Sequence, residues 1–182
     1  MQKDRVSKQQ WLQAALDFVL ERGVLDMTPE KLASELGTSR SSYYWHFGNQ
    51  EEFRSQVIDY WVTTYTGIVA DTLESFDGTP RERLSVLLKL VHEMDITKYE
   101  GAVYALAYGN DALVRRIEQT YRIRRDFLQS TLQEMGVGED RIAPLSRLMI
   151  CYLTWETKMG FSASCEKAIK RDEFIFSLLA GT

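Results

Sequence analysis

The feature that most constrains this chain is a repeated punctuation: a polar capping residue, an apolar stripe at three-and-four spacing, and a glycine stop. Leu12, Ala15, Leu16, Val19 and Leu20 share one face of a segment from about Val6 to Arg22. Gly23 follows it, where a left-handed residue is wanted. Thr28-Pro29 restarts a helix, since threonine caps well and proline lacks only an N–H that has no partner in a first turn. Leu32, Ala33 and Leu36 form its apolar face, and Gly37 ends it. A third short segment starts at Ser39 or Arg40 and stops near Gly48. Asn49 with Glu52 has capping-box spacing and opens a long helix that the pattern carries to about Asp77-Gly78. Thr79-Pro80 with Glu82 repeats the device. Further segments are expected at about Lys98–Tyr108, Asp111–Met135, Ile142–Gly160 and Cys165–Leu179. No alternating Val/Ile/Thr window bounded by hairpin turns occurs, so the chain is predicted to be all-α, with about nine helices.

Composition excludes several classes. Of 182 residues 45% are hydrophobic and 26% charged, which is globular rather than disordered. No run reaches the roughly 18 apolar residues of a membrane span, and no apolar leader follows Met1, so a cytoplasmic protein without a membrane partner is expected. Cys151 and Cys165 offer neither a disulfide framework nor metal-ligand spacing. No cofactor or metal is expected.

Thr28 to Leu36 and Ser39 to His46, joined by a tight glycine turn, have the dimensions of a helix-turn-helix, whose second helix enters the major groove. Thr38, Ser39, Arg40, Ser41, Ser42, Tyr43, Tyr44, Trp45 and His46 form a dense run of donors. Arginine can read guanine edges bidentately, and hydroxyls can bond bases or phosphates. The formal charge of the whole chain is −4, and residues 1–56 carry seven basic and eight acidic side chains. Yet Leu36 through Gln50 holds no carboxylate, and Lys3, Arg5 and Lys8 against Asp4 give the N-terminal arm a net +2. Screening confines such fields to roughly 8–10 Å, so the local balance decides.

Ala15, Gly23, Thr28, Leu32-Ala33, Leu36-Gly37, Ser39, Tyr44, His46-Phe47 and Glu51-Glu52-Phe53 together resemble the DNA-binding domain of the tetracycline repressor-like family of bacterial regulators, over Gln9 to Trp61. The resemblance implies a helix-turn-helix head (1–56) on a larger helical domain (57–182) that dimerises and holds a small-molecule pocket. It implies phosphate contacts for Thr28, Tyr44 and His46, a capping role for Ser39, and base-edge positions for Arg40, Ser42 and Tyr43. The family often has Lys where this chain has Gln50, a small residue at Ser41 and a smaller apolar one at Tyr43.

In the larger domain, the helix near Leu145 to Phe161 is apolar around much of its circumference, and the last helix carries Phe174, Ile175, Phe176, Leu178 and Leu179. Two copies of this pair would form a four-helix homodimer interface, which the resemblance also implies. Trp61, Tyr65, Met94, Tyr104, Tyr108, Tyr121, Phe127 and Trp155 are the candidate pocket residues, although for any single one of them plain core is the better reading. Glu156 lies on the inward stripe beside Trp155 and Tyr152, where it suits either a cationic ligand or a Lys/Arg partner. The basic run Arg115 to Arg125 has the spacing of a solvated helix face.

The function expected is a ligand-responsive transcriptional regulator, a repressor, binding double-stranded operator DNA as a homodimer and released by a small-molecule effector. The alternative is a helix-turn-helix adaptor acting through protein contacts. An enzyme is not expected: no nucleophile–base set or phosphate loop occurs, and only His46 and His92 could act as neutral-pH bases.

Overall fold

The computed structural model describes residues 6–156 and 164–181, so Lys3, Asp4 and Arg5 of the arm and the expected helix end at Gly160 lie outside them. Helix α1 spans Lys8–Arg22. Ser7 caps it in a full capping box: its Oγ accepts from the Gln10 N–H (3.3 Å), and its own N–H donates to Gln10 Oε1 (2.7 Å). Gly23, at φ 83° and ψ 161°, occupies a conformation open almost only to glycine, and a 3₁₀ turn over Val24–Asp26 follows. Helix α2 (Pro29–Glu35) starts on Thr28, whose Oγ1 accepts from the Lys31 N–H at 3.3 Å. It ends in a Schellman turn at Gly37 (φ 61°), with Thr38 N–H bonded to Ala33 O (2.9 Å) and Gly37 N–H to Ser34 O (3.2 Å). Helix α3 is Arg40–His46 and α4 is Gln50–Trp61. Asn49 caps α4 at 2.8 Å, but Glu52 reaches past it to the Gly48 N–H at 3.0 Å, so the second half of the expected box falls one residue early.

The long fourth helix is not uniform. A π segment over Val62–Gly67 separates α4 from α5 (Ile68–Glu74). Val62, Thr63 and Thr64 are β-branched in succession, and the Thr63 hydroxyl donates back to the Asp59 carbonyl at 2.9 Å, competing with the regular ladder. Helix α6 (Pro80–Glu93) has the expected capping box between Thr79 and Glu82. Helices α7 (Glu100–Ala107), α8 (Asp111–Glu134), α9 (Glu139–Glu156) and α10 (Cys165–Ala180) complete the order. Taking α4, the π segment and α5 as one run gives nine helices, and every regular element among the described residues is helical.

The chain divides into two compact units. The first runs to Thr64 and also takes Tyr99–Ile117, bringing α7 and the start of α8 against α1 and α4. Its core includes Trp11, Phe18, Tyr43, Phe47, Phe53 and Trp61, all at most 1% exposed. Burial of each such ring stabilises the fold by roughly 1.5–3 kcal/mol. Tyr99 ties α7 to α1: its hydroxyl donates to Asp17 and accepts from Gln13 Nε2 at 2.9 Å. Arg116 pairs with Asp59 at 2.6 Å, which takes one cation of the basic run out of the solvated face. The second unit holds Tyr65–Lys98 and the chain from Glu118 onward, built on Leu73, Leu84, Leu88, Leu128, Leu132, Met149, Leu153 and Phe176. Within it, α10 packs along α6.

Candidate nucleic-acid interface and ligand cavity

Helix α3 is positioned from beneath by Tyr43. Its ring meets Trp11 (5.5 Å between centroids), Phe47 (5.2 Å) and Phe53 (5.1 Å) in the first unit's core. This corrects the expectation that Tyr43 lies near base edges: a donor-rich run on a seven-residue helix must still give one residue to the interior, and Tyr43 is that residue. Its hydroxyl is buried without a hydrogen-bond partner, and burial pushes its phenol up to about 12. Ser42 is half-buried, with its Oγ likewise unpartnered.

The opposite face is open. Ser39, Arg40 and Ser41 are exposed, as are Tyr44 at 49% and Trp45 at 61%; Thr38 is half-buried. Arg40 crosses to α2, where its Nε lies 2.9 Å from Glu30 Oε1, and its Nη2 donates to the Tyr44 hydroxyl at 2.9 Å. The hydrogen bond to Tyr44 and then the charge of Glu30 raise the guanidinium pKa further above its ordinary value. Residues 36–50 lack carboxylates along the chain but not in space. The pair is exposed and screened by solvent, so the guanidinium can be redirected at small cost.

Two further expectations are corrected. Ser39 sits at the N-cap of α3, yet its side chain caps no N–H; Oγ lies 2.7 Å from Ser41 Oγ, which competes for it two residues on. His46, expected at a phosphate, is half-buried, and its Nε2–H donates to the Val6 carbonyl at 3.0 Å, holding the chain before α1 against the end of α3. Thr28 keeps its hydroxyl proton while Oγ1 serves as the α2 cap. Lys8 stands over the Phe47 ring at 5.9 Å, and Gln50 is exposed at the first position of α4.

In the second unit a cavity of about 200 Å³ opens between α5, α6, α8 and α9. Leu73, Val91, Ile96, Leu128 and Leu153 give it apolar walls, and Thr66, Thr97, Thr154 and Arg124 supply polar groups at its edge. Arg124 Nη2 donates to Thr66 Oγ1 at 2.7 Å. Of the expected pocket residues, Tyr65 and Phe127 line it. Met94 packs against the adjoining core, and Tyr121 lies under the Arg124 guanidinium at 5.3 Å. Trp155 is 56% exposed. Trp61 is buried in the first unit, where Tyr104 (43%) and Tyr108 (87%) are exposed. Ring size favoured those residues in the sequence, whereas the walls are made by branched aliphatic side chains. Glu156 is buried and has the basic partner: Arg171 Nη2 lies 2.5 Å from its Oε1. No helix among the described residues is long and apolar enough to cross a membrane.

Comparison with known proteins agrees with this geometry. The family model described as "Bacterial regulatory proteins, tetR family" matches residues 12–57, the segment that contains α1 to α4. No curated protein matches the chain by sequence. Among solved structures, a TetR transcriptional regulator from Legionella pneumophila is 10% identical, with a TM-score of 0.75 over 99% of this chain and 100% of that one. A transcriptional regulator from Rhodococcus sp. Rha1 is 15% identical (TM-score 0.71; 97% and 95% covered). The ketosteroid transcriptional regulator of Mycobacterium tuberculosis is 19% identical (TM-score 0.67; 96% and 94% covered). Residues 12–57 are thus similar to the DNA-binding segment of tetR-family regulators, and the whole chain has the all-α fold of these neighbours.

Proposed function

We propose that this chain is a transcriptional repressor of the tetR type, which binds a pseudo-palindromic operator as a homodimer and is released by a small apolar effector. The observation that carries the reading is the face of α3: Arg40, Ser41, Tyr44 and Trp45 exposed above a core that fixes the helix through Tyr43. Arg40 reads a base edge after leaving Glu30, while Thr28 and Tyr44 bond phosphates. The two recognition helices of a dimer enter successive major grooves about 34–36 Å apart.

The second copy docks on α9 and α10. Leu148, Cys151 and Trp155 follow one another at helical spacing on α9 and are exposed, as are Phe174 and Leu178 on α10. Such a patch on two neighbouring helices suits a self-complementary interface. The effector occupies the cavity lined by Val69, Leu73, Val91 and Phe127, its apolar body against these walls and a polar end toward Arg124 and Thr66. The ketosteroid-named neighbour is in keeping with an apolar ligand. If effector weakens operator binding, operator weakens effector binding by the same factor.

Selection of DNA fragments from the source genome on the purified protein tests the reading and yields the operator. Recovery of one inverted-repeat sequence, bound two chains per site, is the expected result. Retention of all fragments alike, or of none, would overturn it; the second outcome is that of a protein adaptor.

A further inference from the structure

We propose that the second unit contains a divalent metal site, with His92 Nε2, Asp172 Oδ2 and Glu156 Oε2 as its protein ligands. Three helices deliver these groups: α6, α10 and α9 respectively. One ring nitrogen of His92 and one carboxylate oxygen each of Asp172 and Glu156 lie within 4.8 Å of one another. Side-chain exposure is 0% for Asp172, 4% for Glu156 and 9% for His92.

The bonding divides the oxygens into two sets. Asp172 Oδ1 accepts from the Tyr152 hydroxyl and from Arg171, each at 3.0 Å, and Glu156 Oε1 faces Arg171 at 2.5 Å. The guanidinium therefore holds the far oxygen of each carboxylate. The near oxygens are left: Asp172 Oδ2 accepts from His92 at 2.7 Å, and Glu156 Oε2 is buried with no hydrogen-bond partner. A buried carboxylate oxygen without a partner is costly, and it signals a group still to be supplied. Two carboxylates meet a single guanidinium here, a grouping that suits a divalent cation.

The donor set, one imidazole nitrogen and two carboxylate oxygens without thiolate, suits zinc and other borderline divalent ions of the first row. Ligands at about 2.0–2.2 Å from one ion in a tetrahedral site lie about 3.3–3.6 Å apart, so on binding the His92–Asp172 hydrogen bond of 2.7 Å opens to admit the ion. Tyr152 and Arg171 orient the two carboxylates from behind, the arrangement that metal ligands need. On binding, the imidazole takes the tautomer with its proton on Nδ1, which leaves the Nε2 lone pair for the ion. The site is separate from the effector cavity: Leu153 and Thr154 line that cavity, and Tyr152 and Glu156 do not. A bound ion clamps α6, α9 and α10 together whether or not the chain binds DNA.

The test uses the full chain, stripped with a chelator and titrated separately with Zn²⁺ and Co²⁺. Expected are one ion per chain, a visible Co²⁺ ligand-field band that Zn²⁺ abolishes, and a higher thermal midpoint with metal. His92→Gln and Glu156→Gln should each weaken binding at least about tenfold and lose the band and the thermal shift. Glu156→Gln keeps Oε1 available to Arg171, so helical circular dichroism should be unchanged. No band in the wild type, or a band and thermal shift that persist unaltered in both variants, would overturn the site.

Discussion

In the first unit the largest buried side chains are rings, with Tyr43 touching Trp11, Phe47 and Phe53 at 5.1–5.5 Å between centroids. The core cluster of the second is mainly Leu, Val and Ile, with Met149 and Phe176, and beside it lie a cavity and a buried group of charged side chains. Interlocked rings have few rotamers and fix a surface helix in one orientation, which suits a surface that must match base edges. Branched aliphatic chains around an opening leave room for a guest. The two halves are thus built to opposite mechanical requirements.

The strongest attack on this contrast is Phe53→Ala. It should cost about 3–5 kcal/mol in denaturant unfolding and remove DNA binding, because the ring that carries Tyr43 is lost. If affinity survives that loss of stability, the rigid-platform account fails. Next in size, Arg40→Ala should reduce discrimination at one base step by about 1–3 kcal/mol while leaving stability nearly unchanged. Gel shifts across operator variants measure the first and denaturant melts the second; Tyr44→Phe should weaken all sequences alike. Ala70→Leu, which fills part of the cavity wall, should raise stability by roughly 0.5–2 kcal/mol and abolish effector-induced release, with operator affinity retained.

The smallest effect belongs to Tyr43→Phe. Removal of a buried hydroxyl without a partner should leave stability at neutral pH within about 1 kcal/mol of wild type, on the favourable side. The folded phenol titrates at about 12 rather than 10, so its contribution is complete below pH 10 and is lost as pH rises through 12. Tyr152 is shifted in the same way, by burial first and Asp172 next, and remains in the variant. Unfolding midpoints between pH 10 and 12 should therefore fall less steeply in Tyr43→Phe, but still fall. An equal slope in both proteins would refute the assignment.

What was legible in the sequence follows the range of the forces involved. The starts at Thr28-Pro29 and Thr79-Pro80 and the stops at Gly23 and Gly37 depend on groups within about five residues, and all stand where the pattern puts them. The capping box at Ser7 was equally available from Ser-x-x-Gln. The π segment was foreshadowed only by the run Val62-Thr63-Thr64, which also fits a regular helix. Nothing local could show that Glu30 crosses to Arg40, that His46 holds Val6, or that His92, Glu156 and Asp172 meet from three helices. Those contacts are set by how faces pack, and the sequence pattern defines faces without saying which of them meet. Glu156 is intermediate: its inward stripe was predictable, whereas Arg171 as its partner was not.

Under the proposed docking, the pair between Arg40 and Glu30 makes recognition an exchange reaction. In the free protein the guanidinium already has a carboxylate acceptor at 2.9 Å, so DNA enters as a competitor and contributes only the difference. A single phosphate oxygen or a base edge with one acceptor offers little more than Glu30 does. A guanine edge, with two acceptors in the plane of the fork, offers more. In that docking, leaving Glu30 lowers affinity for every sequence by the same amount, and discrimination rests on what each base edge offers the guanidinium in return.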